Sequence, residues 1–208
     1  MIGITGYKQA EATSFSELPK LQPGGYVLKI LNVKVEPTDW GSRLAIQFDI
    51  AEGEFKGFFD KLYKATPDEW ENKKWKGSMR LSIPHNTGDD TKFKKSLGYF
   101  KSQIQAFENS NANLHIDCER DWDENVLKGK LVGALFNEKE WEKDGNTGWF
   151  TQCKRFVPAN DIRSGNFTIP KREELKNKPS TASNDSFDPN ANLSDFVEIN
   201  ADNGDVPF

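Results

Sequence analysis

Gly24-Gly-Tyr-Val-Leu-Lys-Ile-Leu-Asn-Val-Lys-Val35 is the stretch that decides how this chain folds. Tyr26, Leu28 and Ile30 share one parity, whereas Leu31, Val33 and Val35 continue on the other. Alternate side chains of a strand face opposite sides. An apolar run that changes parity without a break therefore requires a bulge or a sharp bend. Such a bend lets one strand serve two sides of a small barrel. Pro37-Thr-Asp-Trp-Gly-Ser42 is a turn. Beyond it Leu44, Ile46, Phe48 and Ile50 alternate with Arg43, Ala45, Gln47 and Asp49, the pattern of a half-buried strand.

Gly53 and Gly57 bracket a further bend, after which Phe58 to Tyr63 reads as more strand. Residues 64–77 are polar and form an excursion from the sheet. Met79, Leu81 and Ile83 against Arg80 and Ser82 predict another strand, stopped by Pro84. Phe93, Leu97, Phe100, Ile104 and Phe107 fall at helical spacing, with Lys92, Lys94, Lys95 and Lys101 largely elsewhere on the wheel. That predicts an amphipathic helix of about four turns, from near Thr91 to the Asn-rich run at 109–113. Lys130 to Phe136 reads as a strand buried on much of both sides. Asp144-Gly-Asn-Thr-Gly148 turns it into a hairpin with Trp149 to Val157. Strand, strand, strand, helix, hairpin is the order of a mainly β protein with the OB-fold, a five-stranded Greek-key barrel with one helix between strands three and four. A different β-barrel and an α+β sheet are the alternatives.

From Glu173 onward the periodicity vanishes and Ser, Asn, Pro and Asp dominate, the composition of a segment that forms no core. The expected organisation is one domain over 1–172, with 1–22 as an N-terminal arm, and a flexible acidic tail over 173–208. The whole chain carries a net charge of −4. Eight acids and two lysines put −6 of it on the tail and leave +2 for the body. A chain acidic as a whole argues against a nucleic-acid binder, but a slightly basic body with a separate acidic tail does not. Fifteen Phe and six Trp supply bulk for a core. Two cysteines, no recognisable signal peptide and no apolar run of spanning length point to free thiols in a reducing, cytoplasmic compartment, away from membranes.

An OB-fold takes ligands across the face of its second and third strands and between the first and last hairpin loops. Those places hold rings and cations here: Trp40 and Arg43 at the first turn; Tyr63, Trp70 and Trp75 interleaved with Lys73, Lys74 and Lys76; Arg80 on the next strand; Trp141 and Trp149 around the last loop, then Lys154 and Arg155. Single-stranded DNA calls for that combination, because rings stack on unpaired bases at roughly 1–3 kcal/mol each while cations follow the phosphates. The bland reading makes each ring a core filler. Trp40 and Trp75 are the foremost candidates, set among Gly and Lys rather than on an apolar parity; Trp122 and Phe136 read as core. His85, His115, Cys118 and Cys153 do not make a zinc site, since only His115-Ile-Asp-Cys118 has ligand-like spacing. Asp117, Glu119, Asp121 and Asp123 lack the Gly and closing Glu of a calcium loop and read as a solvated connector. No nucleophile–base pair, phosphate-cradling loop or dinucleotide fingerprint is present, so no catalytic residue, cofactor or metal is expected.

Leu193 to Phe208 holds Asp195, Glu198, Asp202 and Asp205 and no basic residue. Its end, Gly204-Asp-Val-Pro-Phe208, resembles the acidic tip of bacterial single-stranded DNA-binding proteins, with Asn203 and Gly204 interrupting the run of aspartates. Asp195-Phe-Val-Glu-Ile199 is similar to the tail of single-stranded DNA-binding proteins from phage replication modules. The resemblance implies binding of unpaired DNA largely without sequence preference, in the host cytoplasm if the chain is phage-encoded, with a homodimer left open. It also implies recruitment of replication or recombination proteins through Asp202, Asp205, Val206, Pro207 and Phe208. Two other classes fit the residues: an OB-fold module that binds a host protein, and a metal-dependent nuclease using the 117–124 carboxylates.

Overall fold

A computed structural model describes residues 20–67 and 73–175. Most of the expected N-terminal arm, Trp70 and the whole Asp202–Phe208 tip lie outside the described residues. The protein is mainly β: five strands form one antiparallel sheet in the order β3-β2-β1-β4-β5. Chain order is β1 (Gly24–Thr38), β2 (Gly41–Ile50), α1 (Phe58–Ala65), β3 (Ser78–Ile83), α2 (Asp90–Ser110), β4 (Leu131–Lys143), β5 (Asn146–Val157) and α3 (Ala159–Ser164). Among the described residues no helix is long and apolar enough to cross a membrane.

β1 bends where its parity changes. Its pairing with β2 shifts register between Ile30 and Asn32, which leaves Leu31 as the extra residue. Leu28, Ile30 and Val33 are buried while Leu31 turns to solvent, so a single bulge keeps both apolar parities on the core. Before the bulge β1 pairs with β4, from Gly24↔Phe136 to Lys29↔Leu131; on its other edge it follows β2 to the turn at Asp39-Trp40. The outermost strands β3 and β5 are brought together by the curl of the sheet, where the Cys153 thiol donates to Met79 Sδ at 3.6 Å. Leu44, Ile46, Phe48 and Leu81 meet Val132, Ala134, Phe136 and Phe156 in one core.

Residues 58–63 are not strand; they open α1. The cause is Asp49, nearly buried at the end of β2. Its carboxylate accepts the Phe59 and Asp60 amides at 2.9 and 3.1 Å, besides that of Ile50 at 2.7 Å. A helix N-terminus leaves such amides without partners, and an anion there meets both the hydrogen-bonding need and the helix dipole. Phe58 and Phe59 then bury one side of the helix.

α2 runs longer than the four turns its apolar spacing suggests. Asp89 caps it by accepting from the Thr91 and Lys92 amides. Its second half packs, with Phe100, Ile104 and Phe107 buried; in its first half Leu97 stays 46% exposed. Gln103 is buried with them and accepts the Phe156 amide of β5 at 2.7 Å. α3 was not foreseen from the pattern. With Phe167 it covers Gly25 of β1 and Gly133 of β4, where an added Cβ would come within 2.7 Å of Ile162.

Candidate nucleic-acid interface

On the side of β1, β2 and β3 away from the core, the register sets side chains in rows. Lys34 lies opposite Ala45, and Ala45 opposite Arg80; the next row is Glu36, Arg43 and Ser82; the one before is Asn32, Gln47 and Ser78. Adjacent strands are about 4.8 Å apart, so each row is a short band across three strands. Ala45 at the centre and Ser78 and Ser82 on the edge strand are small, and the charges of the patch are Lys34, Arg43 and Arg80 against Glu36. Arg43 and Glu36 pair at 3.0 Å, while Lys34 and Arg80 are exposed and make no ion pair among the described residues. The result is a polar, cationic strip with the small Ala45 at its centre.

Trp40 stands at one end of this strip, on the β1–β2 turn, and is 74% exposed. The turn needs Gly41, whose φ is 130° and whose missing Cβ leaves room for the His85 imidazole, 2.8 Å from where that atom would be. Tyr63, Lys73 and Trp75 gather at the opposite end of β2. The Lys73 ammonium sits 4.7 Å from the Tyr63 ring centre, and the two rings are 5.9 Å apart. Trp75 is tied down: its indole N–H is shared between the Phe48 and Gly77 carbonyls, and its ring packs against the core. It is a half-buried structural ring as well as a candidate platform. Burial, helped by the neighbouring Lys74 charge, lowers the pKa of Lys76. From Gly41 to Phe48 is seven residues of strand, or about 23 Å, between the two aromatic ends.

The remaining candidates lie on the β4–β5 arm. Asp144 and Gly145 both take positive φ, the turn that matches strand twist in a two-residue hairpin. Trp141 lies over Gly148, whose missing Cβ leaves room for the indole. Trp149 and Phe150, opposite Glu140 and Lys139 midway along the arm, are exposed. Lys154 is engaged by Glu173 at 2.6 Å, and Arg155 is exposed beside a shallow cleft between α2 and β5. Thus Arg43 and Arg80 share one face; Tyr63, Lys73 and Trp75 share a second place; Trp141, Trp149 and Lys154 share the arm. The sequence pattern does not single out Lys34, and it marks His85 only as a zinc candidate, not as a neighbour of the Trp40 turn. Lys34 was legible in principle, because the Asp39-Trp40 turn sets the register that places it in one row with Arg80.

The other clusters are used locally. Asp117 accepts from the Glu119 amide and faces Arg120, and Asp123 accepts from the Asn125 amide to start a 3-10 turn at 124–127. Among the described residues no three His, Cys, Asp or Glu converge as metal ligands would. Cys153 is half-buried with its thiol against Met79 Sδ, and burial pushes its pKa far above the ordinary value; Cys118 is exposed. Neither a protein-family model nor a curated protein matches the chain.

Proposed function

We propose that this chain is an OB-fold protein that binds single-stranded DNA along the outer face of β1–β3 and recruits other proteins through its acidic C-terminal tip. The fold part is supported by the strand order, the bulged β1 shared by β2 and β4, the helix between β3 and β4, and the Met79–Cys153 contact that draws the edge strands together. The observation that carries the function is the Lys34–Ala45–Arg80 row, open and unpaired, with exposed Trp40 at its end. Phosphates take the cations, bases stack on Trp40 and Tyr63, and the small centre lets the strand lie close. None of these contacts reads a base edge, so binding is largely indifferent to sequence.

Fluorescence anisotropy with labelled oligo-dT of about thirty nucleotides tests this. Three cations should give a slope of log affinity against log salt of about −2, from about −0.7 per phosphate contact on a single strand. K34A/R80A should flatten that slope to about −0.7 and weaken binding. Absence of binding at low salt would refute the proposal. One observation favours a second reading, an adaptor for another protein: a groove of about 200 Å³ between Val35, Ile83, Leu97, Phe100 and Trp122 exposes apolar surface. An adaptor would leave oligo-dT unbound.

A further inference from the structure

Composition places residue 173 at the start of the tail, yet the chain there is fastened to the body. Glu173 forms a parallel bridge with Lys139 on the edge of β4. Its amide donates to the Glu138 carbonyl at 2.8 Å, and its carbonyl accepts from the Glu140 amide at 2.9 Å. Before it, the Asn137 side chain donates to the Lys171 carbonyl at 2.8 Å; after it, the Leu175 amide donates to the Glu140 carboxylate at 3.1 Å. Residues 171–175 thus form a strap along the arm, and alternate residues of such an extended segment face opposite sides.

What the strap touches is telling. Glu173 sets its carboxylate against the Lys154 ammonium at 2.6 Å, with the Asn137 and Gln152 amides donating at 3.1 and 3.3 Å. Arg172 lays its guanidinium 5.1 Å from the centre of the Trp149 ring while pairing with Glu174 at 2.9 Å. Lys154 therefore already holds an anion, and Trp149 already carries a flat π-system. Those are the two groups a nucleotide offers, a phosphate for the cation and a base for the indole. We infer that residues 171–175 are an internal competitor that single-stranded DNA displaces from Trp149 and Lys154, so that DNA binding unfastens the chain up to Leu175. This rests on the single-stranded DNA reading above. The strap suits displacement, since its two strand-type backbone hydrogen bonds are few and DNA replaces in kind its contacts to Lys154 and Trp149.

The test uses the full chain and oligo-dT of about thirty nucleotides. R172A/E173Q should bind about 3–10-fold more tightly than the parent, the range expected when a modest intramolecular competitor is removed. The double change removes one charge of each sign and leaves the net charge at −4, so tighter binding reports lost competition rather than lost repulsion. In the parent, saturating DNA should speed hydrogen exchange at the Glu140 amide while the Phe48 amide, bonded to Gly77 inside the sheet, keeps its protection. Unchanged or weaker binding by R172A/E173Q, with Phe48 still protected, would overturn the strap and leave the DNA reading standing. So would slower exchange at Glu140 on DNA. Failure of every form to bind would overturn both.

Discussion

Replacing Asp49 tests why residues 58–65 are helical. Three amides converge on its carboxylate, from Ile50, Phe59 and Asp60, at 2.7–3.1 Å, and the residue is only 8% exposed. Hydrogen bonds to a charged group are each worth about 1.5–3 kcal/mol. Water can reach the Asp60 amide once the side chain is gone, because that bond is only part-buried, but not the other two. Two full losses and one partial loss put D49A at about 4–7 kcal/mol, a large share of a typical total of about 5–15 kcal/mol. For a chain of this size each kcal/mol moves Tm by about 2–4 °C, so D49A should melt at least about 8 °C lower. D49N keeps one acceptor oxygen for Ile50 and Phe59 but turns an amide toward the Asp60 N–H, and should fall about half as far. Thermal melting by circular dichroism gives both numbers. Hydrogen exchange at the Lys61 amide, bonded to Gly57, reports on α1 alone and should quicken first. A D49A shift under about 2 °C, or no change at Lys61, would mean that something other than this carboxylate starts the helix.

W40A should leave stability within about 0.5 kcal/mol, since the ring is solvent-exposed, yet weaken oligo-dT binding by about 1–3 kcal/mol, or about 5–150-fold, in the anisotropy titration. G77A puts a Cβ 2.3 Å from the Phe48 carbonyl, a backbone atom that cannot swing away, and should cost about 3 kcal/mol in urea unfolding. A thiol reagent should find Cys118 in the native protein, slowed because burial and then the Glu108 and Asp117 charges raise its pKa; Cys153 should react only on unfolding. Burial works to raise the Glu173 pKa, but the Lys154, Asn137 and Lys139 contacts outweigh it and hold it below the usual carboxylate value. A depressed folded pKa stabilises the strap fully above the unfolded value of about 4.3 and loses that contribution as pH falls through the lower one. Amide shifts of Glu140 and Glu173 followed by NMR should therefore hold steady at pH 5 and move below about pH 4; release by pH 6 would contradict the assignment.

Where a segment's conformation is fixed by its own alternation, the residues announce it. The parity change at Ile30–Leu31 became the bulge of β1, Leu44 to Ile50 became β2, and the Phe93–Phe107 spacing lies on α2. Where the cause sits elsewhere in the chain, the pattern misleads. Phe58 to Tyr63 is short and apolar enough for either structure, and it becomes helix because of a carboxylate ten residues away. α3 is six residues long and packs on two glycines more than twenty-five residues upstream of it, which no local window contains. The strap looks like tail because composition counts residue types, whereas its anchor is a backbone edge of β4. The interface shows the same division. Trp40 and Arg80 were visible as exposed types at turn and strand positions, but which cations already hold partners depends on distant Glu36 and Glu173.

For an acidic chain proposed to bind a polyanion, the placement of cations matters more than their sum. At physiological salt, charges more than about 8 Å apart barely feel one another, so the −4 of the whole chain matters less than which cations lie within reach of a phosphate. Lys34 and Arg80 have no ion-pair partner among the described residues, Arg43 is shared with Glu36, and Lys154 is occupied by Glu173. In the proposed complex the outer face of β1–β3 offers few free cations, so the electrostatic part of binding would be small. The rings must supply much of the rest, and each uncovered cation counts heavily. A strap that gives up one ammonium and one indole together then changes affinity more than its five residues suggest, because it restores both kinds of contact at once.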